Sequence, residues 1–333
     1  MLKRIGPSAL TAQEVVSSAL FPSKLEFNPP AHGVWNIVHV GMLVPEAHQI
    51  YVCAINCMRG VTLTAAEMDD SERFSCVVLR EEDITRGTVE AVTLEGIADV
   101  LRKLEARDSL PPCVIVFPVC THHFLGVSMN RVYRELEREF PTVDFVRAFM
   151  DPIMKRRLSP DQRLRKVMFD PLQPCAVDSH LVACLGSDFA LDGDCELRNV
   201  LQAGGYRLRE LQDCTTYEEY RALARASLLM VTYPNALYGI EKLASRLARP
   251  YVYLPSCFSY DEIRMQYNMV HDALGVPLPD FANEEDRCEQ SLAELRCELG
   301  NTPIAIDASF HPRPLGAAHL LLQQGCKIGR AHV

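Results

Sequence analysis

Three cysteines have the residue type and placement for chemistry. Cys53 and Cys57 lie in Tyr51-Val-Cys-Ala-Ile-Asn-Cys-Met-Arg-Gly60, and Cys120 lies in Val114-Ile-Val-Phe-Pro-Val-Cys-Thr-His-His123. Each segment runs from a buried-strand pattern into a turn, and in an open α/β sheet ligands bind outside the carboxyl ends of the strands. Soft thiolates meeting there suit an iron–sulfur cluster or a zinc ion. A thiolate-held cluster carries electrons, so the residues point first to a redox protein. The Cys-x3-Cys spacing has a plainer account as two buried structural thiols, because the chain holds 13 cysteines and the signal is weak in a thiol-rich sequence. Thr121, His122 and His123 place further polar groups after the second strand, where a site is more usual than core. His122 and His123 are candidate ligands or proton donors, against the commoner reading of a half-exposed loop or helix-start pair. Arg59, beside Cys57, is placed to stabilise a thiolate or meet an acidic partner. His32 and His39 flank Trp35 and read as satisfied core histidines. Asp188 and Asp192 read as caps or loop charges.

The remaining composition bounds the answer. A chain of 333 residues with 48% hydrophobic and 23% charged content can bury two or three domain cores. A net charge of −9 makes it a poor candidate for nucleic-acid binding. No apolar run is long enough to span a bilayer, and Met1-Leu-Lys-Arg4 is not followed by a signal-type stretch; the expectation is a cytoplasmic protein with no membrane partner. An odd cysteine count without a secretion signal argues for a reducing, even anaerobic, compartment over a disulfide framework. Cys76, Cys113, Cys184, Cys257 and Cys326 sit in apolar surroundings and read as inert small hydrophobes. The sequence contains no Gly-x-Gly-x-x-Gly, Gly-x-x-x-x-Gly-Lys-Ser/Thr or Gly-x-Ser-x-Gly motif, so neither a self-contained nucleotide site nor an α/β-hydrolase is expected.

The elements that must position these residues alternate strand with helix. After an irregular start with an amphipathic stretch near 12–20, the pattern predicts helices over 88–105 and 130–140 and strands over 75–79, 113–119 and 143–149. The 113–119 run is continuously apolar, as in a strand buried on both faces. A second unit follows: a strand over 177–185, a Gly186-Ser-Asp turn leading into a helix to about Ala203, strands over 206–211, 228–232 and 251–254, and helices over 216–226, 237–248 and 260–274. Thr215-Thr-Tyr-Glu218 resembles a capping box. A charged helix over 284–299 reads as a connector before a strand at 303–307 and a helix at 314–324. The domains expected are therefore an extension at 1–29, a Rossmann-like unit with the cluster cysteines at 30–170, a second at 171–275, and a connector with the start of a third domain at 276–327. Repeated strand–helix alternation implies doubly wound parallel sheets. Residues 328–333, Ile-Gly-Arg-Ala-His-Val, resemble one reading frame of a common sequencing-library adapter. They are expected to be an artefact, with the natural protein continuing past Lys327 by a domain on the order of 100 residues. The strand at 303–307 is then expected to lack a following strand.

These residues together resemble the nitrogenase component 1 family. The resemblance rests on Cys57-Met-Arg-Gly60 after a strand, Cys120 closing Val-Ile-Val-Phe-Pro-Val, a helix beginning near Gly126, Ala226-Ser-Leu-Leu-Met-Val-Thr-Tyr-Pro-Asn235, Pro250-Tyr-Val-Tyr-Leu-Pro255, and Pro303-Ile-Ala-Ile-Asp-Ala-Ser309 followed by Arg313-Pro-Leu-Gly-Ala-Ala318. It covers about residues 30–327. It implies repeated Rossmann-like domains and a homodimer or a heterodimer with a related subunit. It also implies an iron–sulfur cluster of the [4Fe–4S] kind, and a separate ATP-dependent iron–sulfur reductase as electron donor. By resemblance Cys57 and Cys120 match two of the family's three cluster cysteines. The remaining one, the family's first, is expected near Pro30–Gly33, where none stands; the resemblance then leaves two alternatives, that Cys53, one turn from Cys57, substitutes for it, or that the partner subunit supplies a ligand. The stretch Val231-Thr-Tyr-Pro-Asn-Ala236 has no counterpart of the cysteine that anchors the catalytic cofactor in nitrogenases, so dinitrogen reduction is not expected. The function implied is a nitrogenase-like oxidoreductase component of unknown substrate. The alternatives are a non-catalytic scaffold for metallocluster assembly, or a structural α/β protein whose thiols are merely buried.

Overall fold

A computed structural model describes residues 37–150, 158–307, 311 and 313–331. The stretch near residues 12–20, His32, Trp35 and the Pro30–Gly33 position lie outside them. The residues that can be described carry two four-stranded parallel sheets and a third, two-stranded one.

The first unit opens with α1 (Ile37–Met42) and β1 (Ala47–Cys53), followed by α2 (Ile55–Glu67), β2 (Phe74–Val78), α3 (Glu81–Thr85), α4 (Val89–Glu105) and β3 (Cys113–Pro118). It continues through α5 (Cys120–Phe124), α6 (Met129–Glu139) and β4 (Asp144–Arg147). The strand order is β2-β1-β3-β4 with every pairing parallel. β1 and β3 are buried along their whole lengths, as central strands covered on both faces must be. The polar residues of β1 are satisfied in place: Gln49 donates to the Val38 carbonyl at 2.8 Å, and His48 Nε2 meets Ser75 Oγ at 2.8 Å. Alternation along β1 divides the core. Tyr51 and Cys53 face one side with Phe117, the Tyr51 and Phe117 rings stacked at 4.3 Å, while Ile50 and Val52 share the other side's core with residues of α4 and α6.

Helix α7 (Pro160–Met168) leads into the second unit. It comprises β5 (Asp178–Cys184), α8 (Glu196–Ala203), β6 (Arg207–Glu210), α9 (Tyr217–Ala222), β7 (Ala226–Val231), α10 (Leu237–Leu247), β8 (Tyr251–Tyr253) and α11 (Tyr260–Leu274). Its order, β6-β5-β7-β8, repeats that of the first sheet. The expected capping box is present one residue along. Thr216 accepts from the Glu219 N–H at 3.2 Å, and the Glu219 carboxylate accepts from the Thr215 and Thr216 N–H groups. Most strands are trimmed by a residue or two at their ends, and two helices fall well short of the sequence prediction. Helix α9 stops at Ala222 and tightens into a 3-10 turn, Leu223–Arg225, because Ala226 is already the buried first residue of β7. The turn after β5 does not enter a helix directly; residues 185–195 form an irregular loop before α8.

The tail comprises α12 (Phe281–Leu299), β9 (Ile304–Ile306), α13 (Pro314–Gln323) and β10 (Ile328–Ala331). β10 pairs in parallel with β9. This corrects the expectation that β9 would lack a following strand. Ladder pairing is made by backbone groups, so even a segment with a glycine and a charge can supply it.

Candidate functional site

In the order β2-β1-β3-β4 the chain leaves β1 toward one edge and returns to β3 on the other side, so the topological switch lies between β1 and β3. Cys57 stands in the first turn of the helix after β1, and Cys120 is the first residue of the helix after β3. The fold thus brings both cysteines to the carboxyl edge of two adjacent strands. Cys57 is exposed and Cys120 half-buried. Cys53 differs. It is the last residue of β1, fully buried in the core. Burial pushes its thiol up to about 12, with Cys76 and Cys57 nearby adding in the same direction. Among the described residues no group of three or more His, Cys, Asp or Glu side chains converges to hold a metal ion. The described residues of one chain therefore do not supply a complete cluster site. What they offer is two thiols on one edge, on helical turns that also carry exposed apolar side chains: Ile55 is 69% exposed, Phe124 63% and Leu125 46%.

The two histidines after Cys120 part company. His123 is exposed, whereas His122 is buried. The Val119 N–H donates to His122 Nδ1 at 3.2 Å, so the ring is neutral with its proton on Nε2, which meets Thr93 Oγ1 at 2.9 Å. Thr93 in turn donates to the Val89 carbonyl at 2.7 Å. Burial pushes the imidazole down to about 4. Both ring nitrogens are engaged, so His122 acts as a brace that ties the Cys120 turn to α4, and this replaces its reading as a ligand or half-exposed loop residue.

The second sheet has its own switch, between β5 and β7, and the loops there enclose a cleft of about 380 Å³. Ser187, Thr232, Ser256, Gln266 and two thiols, Cys195 and Cys257, line it. Cys257 is only partly buried and accepts from Gln266 Nε2 at 3.3 Å, which corrects its expected status as an inert core thiol. Cys76 is likewise only partly buried. Beneath the same loops lies an ionic network that the sequence did not reveal. Arg165, 2% exposed, donates to Asp161 at 2.9 Å, to the Gly186 carbonyl at 2.6 Å and to Asp188 at 3.0 Å, and its guanidinium lies 4.4 Å over the Tyr233 ring. Asn235 donates to the other Asp161 oxygen at 2.8 Å. Burial raises the Asp161 carboxyl, with Arg165 opposing. One residue of α7 thus holds the loops after β5 and β7 in a fixed relation. Asp161 and Arg165 are four apart on a helix and so were legible as a pair; their loop partners were not.

No family model matches the sequence, and no curated protein does. Solved structures do. A nitrogenase Cp1 determined at pH 6.5 superimposes with a TM-score of 0.68 at 12% identity, over 89% of this chain and 69% of that one. A second, determined at pH 5, gives 0.59 at 14% identity, over 88% and 63%. This chain has a nitrogenase-like fold. It spans roughly two thirds of the length of the chains it resembles. None of the helices described is long and apolar enough to cross a membrane.

Proposed function

We propose that this chain is a nitrogenase-like oxidoreductase component, a cytoplasmic protein that receives electrons from a separate ATP-dependent iron–sulfur reductase. The observation that carries this reading is the nitrogenase-like fold, with Cys57 and Cys120 presented together at the β1/β3 switch. In the proposed assembly two subunits meet over this edge, as a homodimer or with a related partner. The exposed Ile55, Phe124 and Leu125 supply apolar contact area, the kind of surface that marks an interface. Cys57 and Cys120 contribute thiolates to a cluster of the [4Fe–4S] type, and the partner completes the ligand set. Such a cluster supplies one-electron chemistry at a potential set by its ligands and burial. Cys53 serves as a third ligand only if the end of β1 opens, because its side chain is packed into the core and Cys57 stands on an exposed helical turn. The cleft at the β5/β7 switch is the proposed substrate site. Its position outside the carboxyl ends of the strands and its mixed apolar and polar lining are those of a small-molecule pocket.

The test is anaerobic purification of the full-length protein, with iron counting and electron paramagnetic resonance. Wild type is compared with Cys57→Ser, Cys120→Ser and Cys53→Ser. The expected result is a dimer whose iron signal is lost in the first two variants. Iron content unchanged in both would sink the assignment. Turnover with a reductase, ATP and dithionite then distinguishes an electron-transferring enzyme from a scaffold on which clusters are assembled.

A further inference from the structure

The cleft at the β5/β7 switch is built around one aromatic ring. Phe189, on the loop after β5, is 82% exposed, more than any other large apolar side chain among the described residues, and it lines the cleft. A free loop would turn such a ring inward, because burial removes apolar surface from water. This loop is pinned on both sides of it. Before it, the Gly186 carbonyl accepts from Arg165 at 2.6 Å and the Ser187 carbonyl accepts from Gln212 at 2.9 Å. After it, the Leu191 N–H donates to Glu210 at 2.9 Å and the Leu191 carbonyl accepts from Arg198 at 3.0 Å. Arg165 and Glu210 are themselves buried, so the loop is anchored to the protein interior. The ring is held in place before anything binds, and a ligand does not have to order it.

A second part of the wall is one face of α11. Ile263, Gln266, Tyr267 and Val270 all line the cleft, and their spacing is that of a single helical face. Tyr267 supplies a second aromatic side chain among the aliphatic ones. Gln266 uses its Nε2 for both its hydrogen bonds, to the Pro255 carbonyl at 2.8 Å and to Cys257 Sγ at 3.3 Å, which leaves the amide oxygen as an acceptor. Asp192 contributes a carboxylate to the lining, and a fixed negative charge repels an anion. Taking this cleft as the substrate site of the redox reading, we propose that it binds a small, uncharged aromatic molecule bearing a hydrogen-bond donor, of the phenol or indole class, with its ring against Phe189. Ring–ring contact adds to the gain from burying apolar surface, and the volume of about 380 Å³ is that of a small-molecule pocket.

Isothermal titration calorimetry on the full chain tests it, with 2-naphthol and the anion 2-naphthoate as probes. The naphthol is expected to bind with one-to-one stoichiometry at about 1 mM or tighter, and the naphthoate several-fold more weakly. Phe189→Ala should weaken naphthol binding roughly tenfold, the combined loss of ring contact and buried area. Phe189 is exposed, so its truncation leaves the fold intact. Asp192→Asn should narrow the gap between the two probes, while Met265→Ala, at an exposed position of α11 outside the cleft lining, should leave binding unchanged. Binding needs neither iron nor reductase, so a failed titration and a failed iron count are separate outcomes. Absence of naphthol binding, binding unaltered in Phe189→Ala, or naphthoate bound as tightly as naphthol overturns the proposal.

Discussion

At the scale of single residues, exposure and ionisation separate the cysteines that look alike in sequence. Cys53 and Cys57 are four apart, yet one ends a buried strand and the other starts an exposed helical turn. A thiol held at about 12 is ionised to only about one part in ten thousand at pH 8, and the thiolate is the nucleophile. Brief alkylation of the native protein with iodoacetamide at pH 8, read by mass spectrometry, should therefore modify Cys57 and leave Cys53 intact until the protein unfolds; equal labelling would contradict the burial. Histidines carry the second residue-scale prediction. Burial pushes both His48 and His122 from 6.5 down to about 4, with the Arg73 charge adding to the effect at His48. Groups facing them include Ser75 at His48 and Thr93 at His122. Between these two pH values the unfolded chain binds protons that the folded chain refuses, so stability is intact above about pH 6.5 and falls as pH drops toward 4. Each ring accounts for on the order of 3 kcal/mol at most. Urea denaturation across pH 4–7 checks this. His122→Gln, which keeps polar atoms near Thr93, should flatten part of the slope; a slope unchanged from wild type would assign it elsewhere.

Elements position the chemistry through their ends. Gly186 shows how tightly. It closes β5 with φ +92°, and a Cβ placed there would stand 2.2 Å from the Cβ of Ala236, in the loop after β7. Only glycine meets both the left-handed backbone and the close approach. Gly186→Ala should destabilise the protein by about 2–4 kcal/mol, combining backbone strain with overpacking, and should shift the Arg165 contacts that fix the two loops. A denaturation midpoint within error of wild type would show that the loops yield freely. Much of this element level was readable in advance. The all-buried β3 announced itself by an unbroken apolar run, and α11 was expected over 260–274, the bounds it takes. The boundaries that slipped, such as the end of α9 and the long loop before α8, were decided by tertiary demands: burial of Ala226 and enclosure of the cleft. Periodicity carries no trace of these. The candidate cysteines stand at strand ends, as the sequence pattern suggests, but nothing local in the sequence reveals that Cys53 points into the core. That follows from alternation along β1 together with which face the second sheet covers.

Over the whole molecule, the two sheets are less separate than two successive Rossmann-like units suggest. Their facing sides belong to one continuous cluster in which Tyr51, Phe117 and Val146 from the first sheet join Leu181, Leu229 and Val231 from the second. Polar ties reinforce it: the Tyr217 hydroxyl donates to Asp144 at 2.7 Å, and its N–H donates to Glu46 at 2.7 Å. The sequence divides at about residue 170 because the strand–helix pattern restarts there, and no local signal tells whether two such units bury a face against each other. A shared core has a thermodynamic signature. Leu229→Ala, at a fully buried position of β7, should cost about 2–5 kcal/mol. In native-state hydrogen exchange, the loss should appear equally in the amides of β5 and β7 and in those of β1 and β3. Tyr217→Phe, which leaves Asp144 without its donor, should lower both sheets together by about 1–3 kcal/mol. If protection fell in the second sheet alone, the two units would be independent foldons, and the switch loops of one could not be held by the packing of the other. Coupled loss would mean that the thiol edge at β1/β3 and the cleft at β5/β7 are carried by one cooperative body, as the proposed electron transfer between them requires.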